Sequence, residues 1–376
     1  MNPLNLEKVI ELRHRLHRCP ELSMHEQNTF RVIRRFLEEN TSLEIRDMGS
    51  WLYAVKKGSP GGKTIAFRAD TDALPISESR RLPYASANPG VAHACGHDGH
   101  AAALCALALE LEAIPVSNTV CLLFQPGEEI GSGALLCREI IKKENVSEIY
   151  AFHNLPGYPE KHIVYRRGLT QPASVGIRFS FHGKTSHASA PEEGCSPAAA
   201  IAKTILFSLE LPNQFCSGMA LCTVAGVQLG NGDIGISPGE GTLSLTIRAD
   251  QEDVMNQMKE RLTAYAAKEG AAGGLTVSHE FCDYFPETRN HEMALEKVKK
   301  CAESLSLPCY EMDTLWRASE DFGYYLKDCP GAMFYIGAGT DAPALHTVDY
   351  DFADSILETA ADMFLALAGV KRDGSL

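Results

Sequence analysis

The densest group of metal-ligating side chains in the sequence lies at 93–100, HACGHDGH. It holds Cys95, His97, Asp98 and His100 in six positions, separated by small residues that leave space for an ion and a substrate. Thiolate and imidazole bind zinc and related divalent ions well. The alternative is a buried cysteine beside histidines that cap a helix. Three histidines, a cysteine and an aspartate in so short a stretch favour a metal or catalytic site.

Two adjacent carboxylates, Glu128 and Glu129, form a second candidate site in QPGEEIGSG (125–133). They follow an apolar strand and precede a glycine-rich turn. Neighbouring side chains in a turn can point in different directions, so one can bind metal while the other takes a proton from water. On this motif alone, a pair of solvated glutamates at the start of a helix is an equally open interpretation.

Two isolated histidines complete the set: His153 in AFHNLPG and His346 in ALHTVDYDF. A lone histidine is more often an ordinary polar residue than a ligand. With the first two motifs, however, they give one cysteine, three histidines and a carboxylate from four segments. One closed zinc site needs only four ligands, so the set suits two neighbouring divalent ions.

Two further stretches hold candidate supporting residues. RADTDALP (68–75) places Asp70 and Asp72 after a strand, where a carboxylate could orient a metal-bound histidine. HGKTSHASAPEEG (182–194) places His187 in a glycine- and serine-rich turn. His187 could reach the cleft by domain closure or from a partner subunit.

Strands alternate with helices in the first part of the chain, which predicts an α/β architecture with a largely parallel sheet. Ligands bind such sheets beyond the carboxyl ends of the strands, where Asp70, Glu128 and His153 fall. The apolar periodicity predicts helices at 5–18, 26–39, 100–112, 133–143, 291–304 and 353–368, and strands at 63–70, 118–126, 148–154 and 332–339.

The middle of the chain, 172–285, has a β-α-β-β-α-β order that is typical of a ferredoxin-like α+β domain. We expect it to be a lid or dimerisation domain inserted into a catalytic domain formed by 1–171 and 286–376. The predicted strands are 174–183, 220–230, 241–250 and 274–282, and the predicted helices are 196–210 and 251–268.

Composition limits the partners and the compartment. A net charge of −13 argues against nucleic acid and anionic membranes as partners. No stretch approaches the ~20 apolar residues of a membrane helix. The charged N-terminal segment lacks the apolar core of a signal peptide. The 12 cysteines include no CxxC pair, so we expect reduced thiols in a cytoplasmic protein.

Taken in order, these motifs resemble the metal-dependent aminoacylase-like amidohydrolases. That family includes bacterial N-acyl-amino-acid deacylases and plant auxin-conjugate hydrolases, within a superfamily that also contains glutamate carboxypeptidases and aminoacylases. The resemblance runs along nearly the whole chain, through LRHRLHRCPELS (12–23), FRADTDALPI (67–76), HACGHDGHAA (93–102), FQPGEEIGSGA (124–134), HGKTSHASAP (182–191), LTIRAD (245–250), SEDFGYYL (319–326) and ALHT (344–347).

The resemblance implies a role for each candidate residue. Glu128 falls on the general acid/base, and His187 on the lid-domain histidine that approaches the scissile carbonyl. Asp70 replaces a histidine of the wider superfamily and is not expected to bind metal. Two divalent ions per subunit (zinc, manganese, cobalt or nickel) are implied, with five ligands: Cys95, His97, Glu129, His153 and His346.

Two positions depart from the family pattern. Gly127 replaces a common alanine, a change expected to have little effect. Gly235, in GNGDIGISPGEG (230–241), stands where many members carry an asparagine that would help to bind the substrate carboxylate or backbone. Its loss puts the usual N-acyl-amino-acid specificity in question. Arg248 and Asn231 are further candidates for binding a substrate carboxylate.

The sequence therefore predicts a two-metal amidohydrolase that cleaves N-acyl-amino acids or similar small conjugates. One alternative is a dipeptidase or carboxypeptidase with the same metal site. Another is a non-catalytic metal-binding homologue, which the presence of Glu128 disfavours. We also expect a homodimer formed through the inserted domain.

Overall fold

The computed structural model describes residues 1–215 and 218–370. The chain forms two compact units, one of 1–170, 288–315 and 320 onward, the other of 171–287 and 316–319. The segment 316–319, which was expected in the first unit, lies with the second. There, the Arg248 guanidinium donates to the carbonyl of Arg317.

The elements follow in chain order. Before the second unit come α1 (Pro3–Arg18), α2 (Gln27–Asn40), β1 (Glu44–Asp47), β2 (Leu52–Lys56), β3 (Thr64–Asp70), α3 (His97–Glu112), β4 (Thr119–Gln125), α4 (Gly133–Cys137), α5 (Glu139–Lys143), β5 (Val146–Leu155), β6 (Ile163–Tyr165) and β7 (Leu169–Gln171). The second unit contains β8 (Ala173–His182), β9 (Ser186–His187), α6 (Ala198–Glu210), β10 (Ala220–Leu229), β11 (Ile236–Ser237), β12 (Glu240–Ala249), α7 (Glu252–Ala272) and β13 (Thr276–Phe285). The chain ends with β14 (Thr288–Arg289), α8 (Glu292–Ser304), β15 (Cys309–Glu311), α9 (Gly323–Leu326), β16 (Gly331–Gly337) and α10 (Leu357–Leu367).

The first unit is built on an eight-stranded sheet in the order β1-β2-β4-β3-β5-β16-β6-β15. Its central strands β4, β3, β5 and β16 are mutually parallel, which confirms the largely parallel α/β sheet. Helix α3 is apolar on nearly every face, AAALCALALELE, and it is buried between the sheet and helices α1 and α10. This places the start of α3 at the carboxyl ends of the parallel strands.

Three features of the first unit differ from the sequence prediction. Strands β1 and β2, which pair antiparallel along one edge, were missed. The short strands β6 and β15 were missed as well, because three residues carry too little periodicity. The helix predicted at 133–143 is two short helices that meet at Arg138.

The second unit is an antiparallel sheet in the order β10-β12-β8-β13, the ferredoxin-like arrangement. Side chains on one sheet face, such as Leu243, Leu245 and Ile247, pack under α6 and α7. The strands β9 and β11 pair beside this sheet and align His187 with Ile236. Across the described parts of both units, no helix is long and apolar enough to cross a membrane.

Candidate metal centre

The parallel strands deliver the candidate ligands to one edge of the central sheet. Glu128 and Glu129 lie in the turn that follows β4, and His153 lies near the end of β5. His97 is the first residue of α3. The carboxyl ends of parallel strands share one edge, so residues distant in sequence meet there.

Backbone geometry fixes the two segments that carry the remaining ligands. Gly96, between Cys95 and His97, has φ 97°, a left-handed conformation that glycine favours. The amide of His346 donates to the carbonyl of Ala94 at 2.8 Å, which ties the His346 loop to the Cys95 segment.

The five candidate ligands converge around the Cys95 sulfur. Its Sγ lies 3.4 Å from His153 Nε2 and 3.3 Å from His346 Nε2. Glu129 Oε1 lies 3.5 Å from His346 Nε2 and 3.8 Å from His97 Nε2. Atoms bound to one tetrahedral ion at ~2.0–2.3 Å are ~3.3–3.8 Å apart, so these spacings fit shared ions.

These atoms form two groups that have Cys95 in common. Cys95, His97 and His153 make one group, and Cys95, Glu129 and His346 make the other. Within each group the candidate ligand atoms lie within 4.8 Å of one another. A residue common to both groups is what two neighbouring ions with one shared ligand require.

The histidine tautomers are also suited to metal binding. His97 Nδ1 donates to the carbonyl oxygen of Asp72 at 3.0 Å and to its carboxylate at 3.1 Å. His153 Nδ1 donates to the carbonyl of Asn154 at 2.7 Å. A proton held on Nδ1 leaves Nε2 of each ring as the ligand atom.

Two buried polar atoms at this point have no hydrogen-bond partner: His97 Nε2 and Glu129 Oε1. Buried polar atoms are rarely left unsatisfied, because each one costs free energy. A divalent cation would satisfy both, so the residues present fit a metal centre.

The electrostatics of the cluster also favour a cation. Burial alone would lower the pKa of His97, but the carboxylates of Asp70 and Asp72 raise it to about 10. Burial, followed by Glu129 and Glu128, raises the pKa of the Cys95 thiol well above its usual range. Carboxylates contribute to both shifts, and a bound divalent ion would offset their negative charge and favour the thiolate of Cys95.

Glu128 is buried beside the ligands and faces a second acidic pair, Glu320 and Asp321. Burial raises its pKa well above the usual range, and Glu320 and Glu129 raise it further. Arg68 forms ion pairs with both members of this pair, because its Nη2 lies 2.8 Å from Asp321 Oδ1 and 3.0 Å from Glu320 Oε1. Its single positive charge offsets part of the negative charge around Glu128.

Asp70, His100 and Asp98 surround the ligands as supporting residues. Asp70 binds His100 Nδ1 through one oxygen at 2.5 Å and Arg68 through the other at 2.7 Å. His100 Nε2 lies 2.6 Å from Asn154 Oδ1, so both ring nitrogens are occupied. Asp98 binds the buried Arg13.

In the second unit, His187 is exposed. Its Nδ1 lies 2.7 Å from the Ser189 hydroxyl and 3.2 Å from the Ser189 amide nitrogen. Burial lowers the pKa of Arg248, one of the candidate carboxylate binders. The other, Asn231, accepts a bond from the amide of Asp233.

The position of Gly235 has room for a side chain. Its backbone lies outside the left-handed region, and an added Cβ would meet only Asp233 Oδ1, at 3.3 Å. Neither backbone conformation nor crowding therefore demands glycine here.

The sequence analysis missed several residues that support the site. Gln125 and Tyr325 belong to the same buried network as Arg68. Glu26, from the loop before α2, accepts a bond from the amide of Gly127 at 2.7 Å. Burial, followed by the charge of Asp72, raises the pKa of Glu26 to about 7. Gln125 and Tyr325 lie inside the motifs FQPGEEIGSGA and SEDFGYYL, where they were assigned no role, and Glu26 lies outside every motif.

The fold and the ligand set together define a metal-dependent hydrolase. The chain belongs to peptidase family M20/M25/M40, whose sequence model matches residues 66–369. It is therefore a hydrolase that acts on amide bonds.

Three similar proteins carry names or descriptions that bear on its chemistry. The N-acetylcysteine deacetylase of Bacillus subtilis is 31% identical over 96% of this chain and 96% of that protein. The N-acetyldiaminopimelate deacetylase of Exiguobacterium sibiricum is 30% identical over 91% and 93%. A dinuclear metal-binding peptidase of the M20 family from Bacillus subtilis has a structure that matches with a TM-score of 0.80, at 28% identity over 98% of each chain.

Proposed function

We propose that this protein is a two-metal amidohydrolase that removes the acyl group from N-acyl-amino acids or similar small conjugates. The main support is the arrangement around Cys95, which belongs to both ligand groups while Glu128 lies buried beside them. The similarity to two deacetylases of N-acetylated amino acids supports this substrate class.

The metal ligands are proposed from the two groups: Cys95 with His97 and His153, and Cys95 with Glu129 and His346. When bound, the two divalent ions supply Lewis-acid polarisation of the amide carbonyl and make water more acidic. Zinc, manganese, cobalt and nickel all suit a set of thiolate, imidazole and carboxylate.

Glu128 serves as the general acid/base in this proposal. It removes a proton from the water that attacks the amide carbonyl, and it then gives that proton to the leaving amine. His187 is proposed to donate a hydrogen bond to the developing oxyanion. Asp72 and Asn154 hold the imidazoles of His97 and His153 in the required orientation.

A peptidase with the same centre, cleaving dipeptides or C-terminal residues, is the second candidate function. It is favoured by the glycine at position 235, because the asparagine that many family members carry there, and that would help to bind an N-acyl-amino acid, is missing. The two functions differ in the group that supplies the carbonyl of the cleaved amide bond. In an N-acyl-amino acid it is a simple acyl group, and in a peptide it is an aminoacyl group.

One hydrolysis screen distinguishes them. Purified protein is loaded with zinc, manganese, cobalt or nickel and offered acetylated amino acids, benzoylglycine and dipeptides at equal concentration. We expect release of free amino acid from the acylated compounds, at a higher kcat/KM than from dipeptides. The reverse preference would favour the peptidase, and no turnover with any metal would contradict the proposal.

We further propose a homodimer and a cytoplasmic location. The dimer is supported by exposed apolar side chains on β10 and α6, among them Leu206, Leu209 and Val227. The location is supported by the described cysteines, all of which are free thiols.

A further inference from the structure

The turn that carries Glu128 is held on both sides by carboxylates. The amide of Gly127 donates to Glu26 Oε1 at 2.7 Å, and the amide of Glu129 donates to Asp72 Oδ2 at 3.0 Å. The Glu129 amide belongs to the peptide plane that directly follows Glu128, and the Gly127 amide belongs to the plane by which the chain enters the turn, one residue earlier. The two bonds therefore hold the turn at its entry, before Gly127, and immediately after Glu128.

Both carboxylates are linked to one short segment that precedes α2. Glu26 belongs to it, is 2% exposed, and reaches Gly127 across 101 positions of sequence. Ser23 belongs to it as well, and its hydroxyl donates to Asp72 Oδ2 at 2.7 Å. We refer to Ser23, Glu26 and Asp72 together as the brace.

The turn cannot supply these bonds itself. Its carbonyls are satisfied internally, since that of Gly127 accepts from Ser132 and Gly133, and that of Glu128 accepts from Gly131. The amides of Gly127 and Glu129 depend on partners from outside. Gly127 also has φ 59°, a conformation that glycine adopts readily, and the bond to Glu26 holds the Pro126–Gly127 peptide on the entry side of this rotation.

We propose that Glu26 is a positioning residue for hydrolysis, which holds the Gly127 amide so that the Glu128 carboxylate faces the attacking water. This inference rests on the proposed function, in which Glu128 is the general acid/base. Glu26 acts as a hydrogen-bond acceptor, so this role requires its side-chain oxygen and does not require its negative charge.

The experiment compares substitutions that differ in one property each. Glu26→Met keeps the length of the side chain and removes the acceptor, whereas Glu26→Gln keeps an acceptor oxygen. Glu21→Gln is the matched control from the same segment, because the Glu21 carboxylate accepts from the amides of Asn28 and Thr29 at the start of α2. Each protein is measured for kcat, KM, bound metal and melting temperature, with the acylated amino acid that wild type hydrolyses fastest.

We expect Glu26→Met to lower kcat by ~10-fold or more, because small displacements of a catalytic group are costly. KM and metal content should stay at wild-type values. Glu26→Gln should restore most of kcat. Glu21→Gln should lower the melting temperature and leave kcat unchanged. In a Glu128→Gln background, Glu26→Met should cause no further loss, because the group that it positions is gone.

Several outcomes would overturn the inference: a wild-type kcat for Glu26→Met, an equal loss for Glu26→Gln, or an undiminished loss in the Glu128→Gln background. If Glu26→Met does not fold, Ser23→Ala tests the same turn through Asp72, and an unchanged kcat would overturn the brace. A wild-type rate for Glu128→Gln alone would instead contradict the proposed function.

Discussion

In the proposed mechanism, Cys95 holds the metal ions and Glu128 moves the proton. Cys95 lies within reach of both ligand groups, and its buried thiol becomes a favourable thiolate only beside a cation. Glu128 is buried close by and faces Glu320 and Asp321, both of which form ion pairs with Arg68. One residue is thus suited to holding ions and the other to moving a proton.

Glu128→Gln tests this division. We expect bound metal to stay at the wild-type level, because the glutamine does not remove a member of either ligand group that contains Cys95. Turnover should fall by at least ~10²-fold, the low end for a lost general base. Metal stoichiometry by mass spectrometry and kcat are measured on the same preparation, with Glu129→Gln as the comparison.

The comparison is informative because the two glutamates are neighbours. Glu129→Gln should lose metal along with activity. If instead Glu128→Gln loses metal and Glu129→Gln keeps it, the two roles are exchanged. Near-normal turnover in Glu128→Gln would remove the general-base assignment.

Residue type decided which parts of the site could be predicted. Cys95, His97 and His153 could be identified in the sequence because thiols and imidazoles are the residue types that bind metals such as zinc. Glu26 and Arg68 do not, because glutamate and arginine are common and their roles depend on burial and on partners far along the chain. Only the folded chain shows which amide or carboxylate each one meets.

At the level of elements, the start of α3 controls the centre. Gly96 precedes the helix with φ 97° and lets the chain turn between Cys95 and His97. An added Cβ would lie 2.4 Å from Asn154 Oδ1 and 2.6 Å from the Tyr350 hydroxyl. Asn154 and Tyr350 are hydrogen-bonded to each other, so neither moves freely.

Gly96→Ala should therefore displace the segment and reduce metal binding. The matched control is Gly49→Ala, at φ 88° with no atom within 4 Å of the added Cβ. Both variants place an alanine in a left-handed conformation, which destabilises each by ~1–2 kcal/mol. Only Gly96→Ala also brings the new Cβ too close to neighbouring side chains. Melting temperatures and metal content of the two are compared. Equal metal content in both variants would show that the structure relieves the crowding at Gly96 without any loss of metal binding.

Helices and strands with a clear apolar periodicity could be predicted from the sequence, and those without one could not. The helical pattern of α3 and the apolar run of β4 were clear, and the structure has them within a few residues of the expected bounds. β1, with the sequence EIRD, is short, charged and half-exposed, so its pairing with β2 stabilises it more than its own composition does. Helix α4 ends and α5 begins at Arg138. This break could not be predicted, because arginine does not interrupt a helix as glycine or proline does.

For the molecule as a whole, the second unit raises the question of oligomeric state. Its strand β10 lies at the edge of the four-stranded sheet, with exposed Leu221, Val227 and Leu229. Exposed apolar edge strands invite pairing with another chain. If a second copy paired along this edge, the two inserted domains would lie side by side and be related by a twofold axis.

A dimer raises the further question of which cleft each His187 serves, and mixing two inactive proteins answers it. Glu128→Gln and His187→Ala are each expected to be inactive, one for lack of the general base and the other for lack of the oxyanion donor. They are dissociated briefly, combined in equal amounts and allowed to reassociate.

If His187 acts on the partner's cleft, one site of each mixed dimer contains both intact residues, and about one quarter of all sites recover. If His187 acts within its own chain, every site lacks one residue and the mixture stays inactive. Sedimentation at the assay concentration is the control, since a monomer would remove the premise and leave closure of each chain's own second unit as the only route for His187.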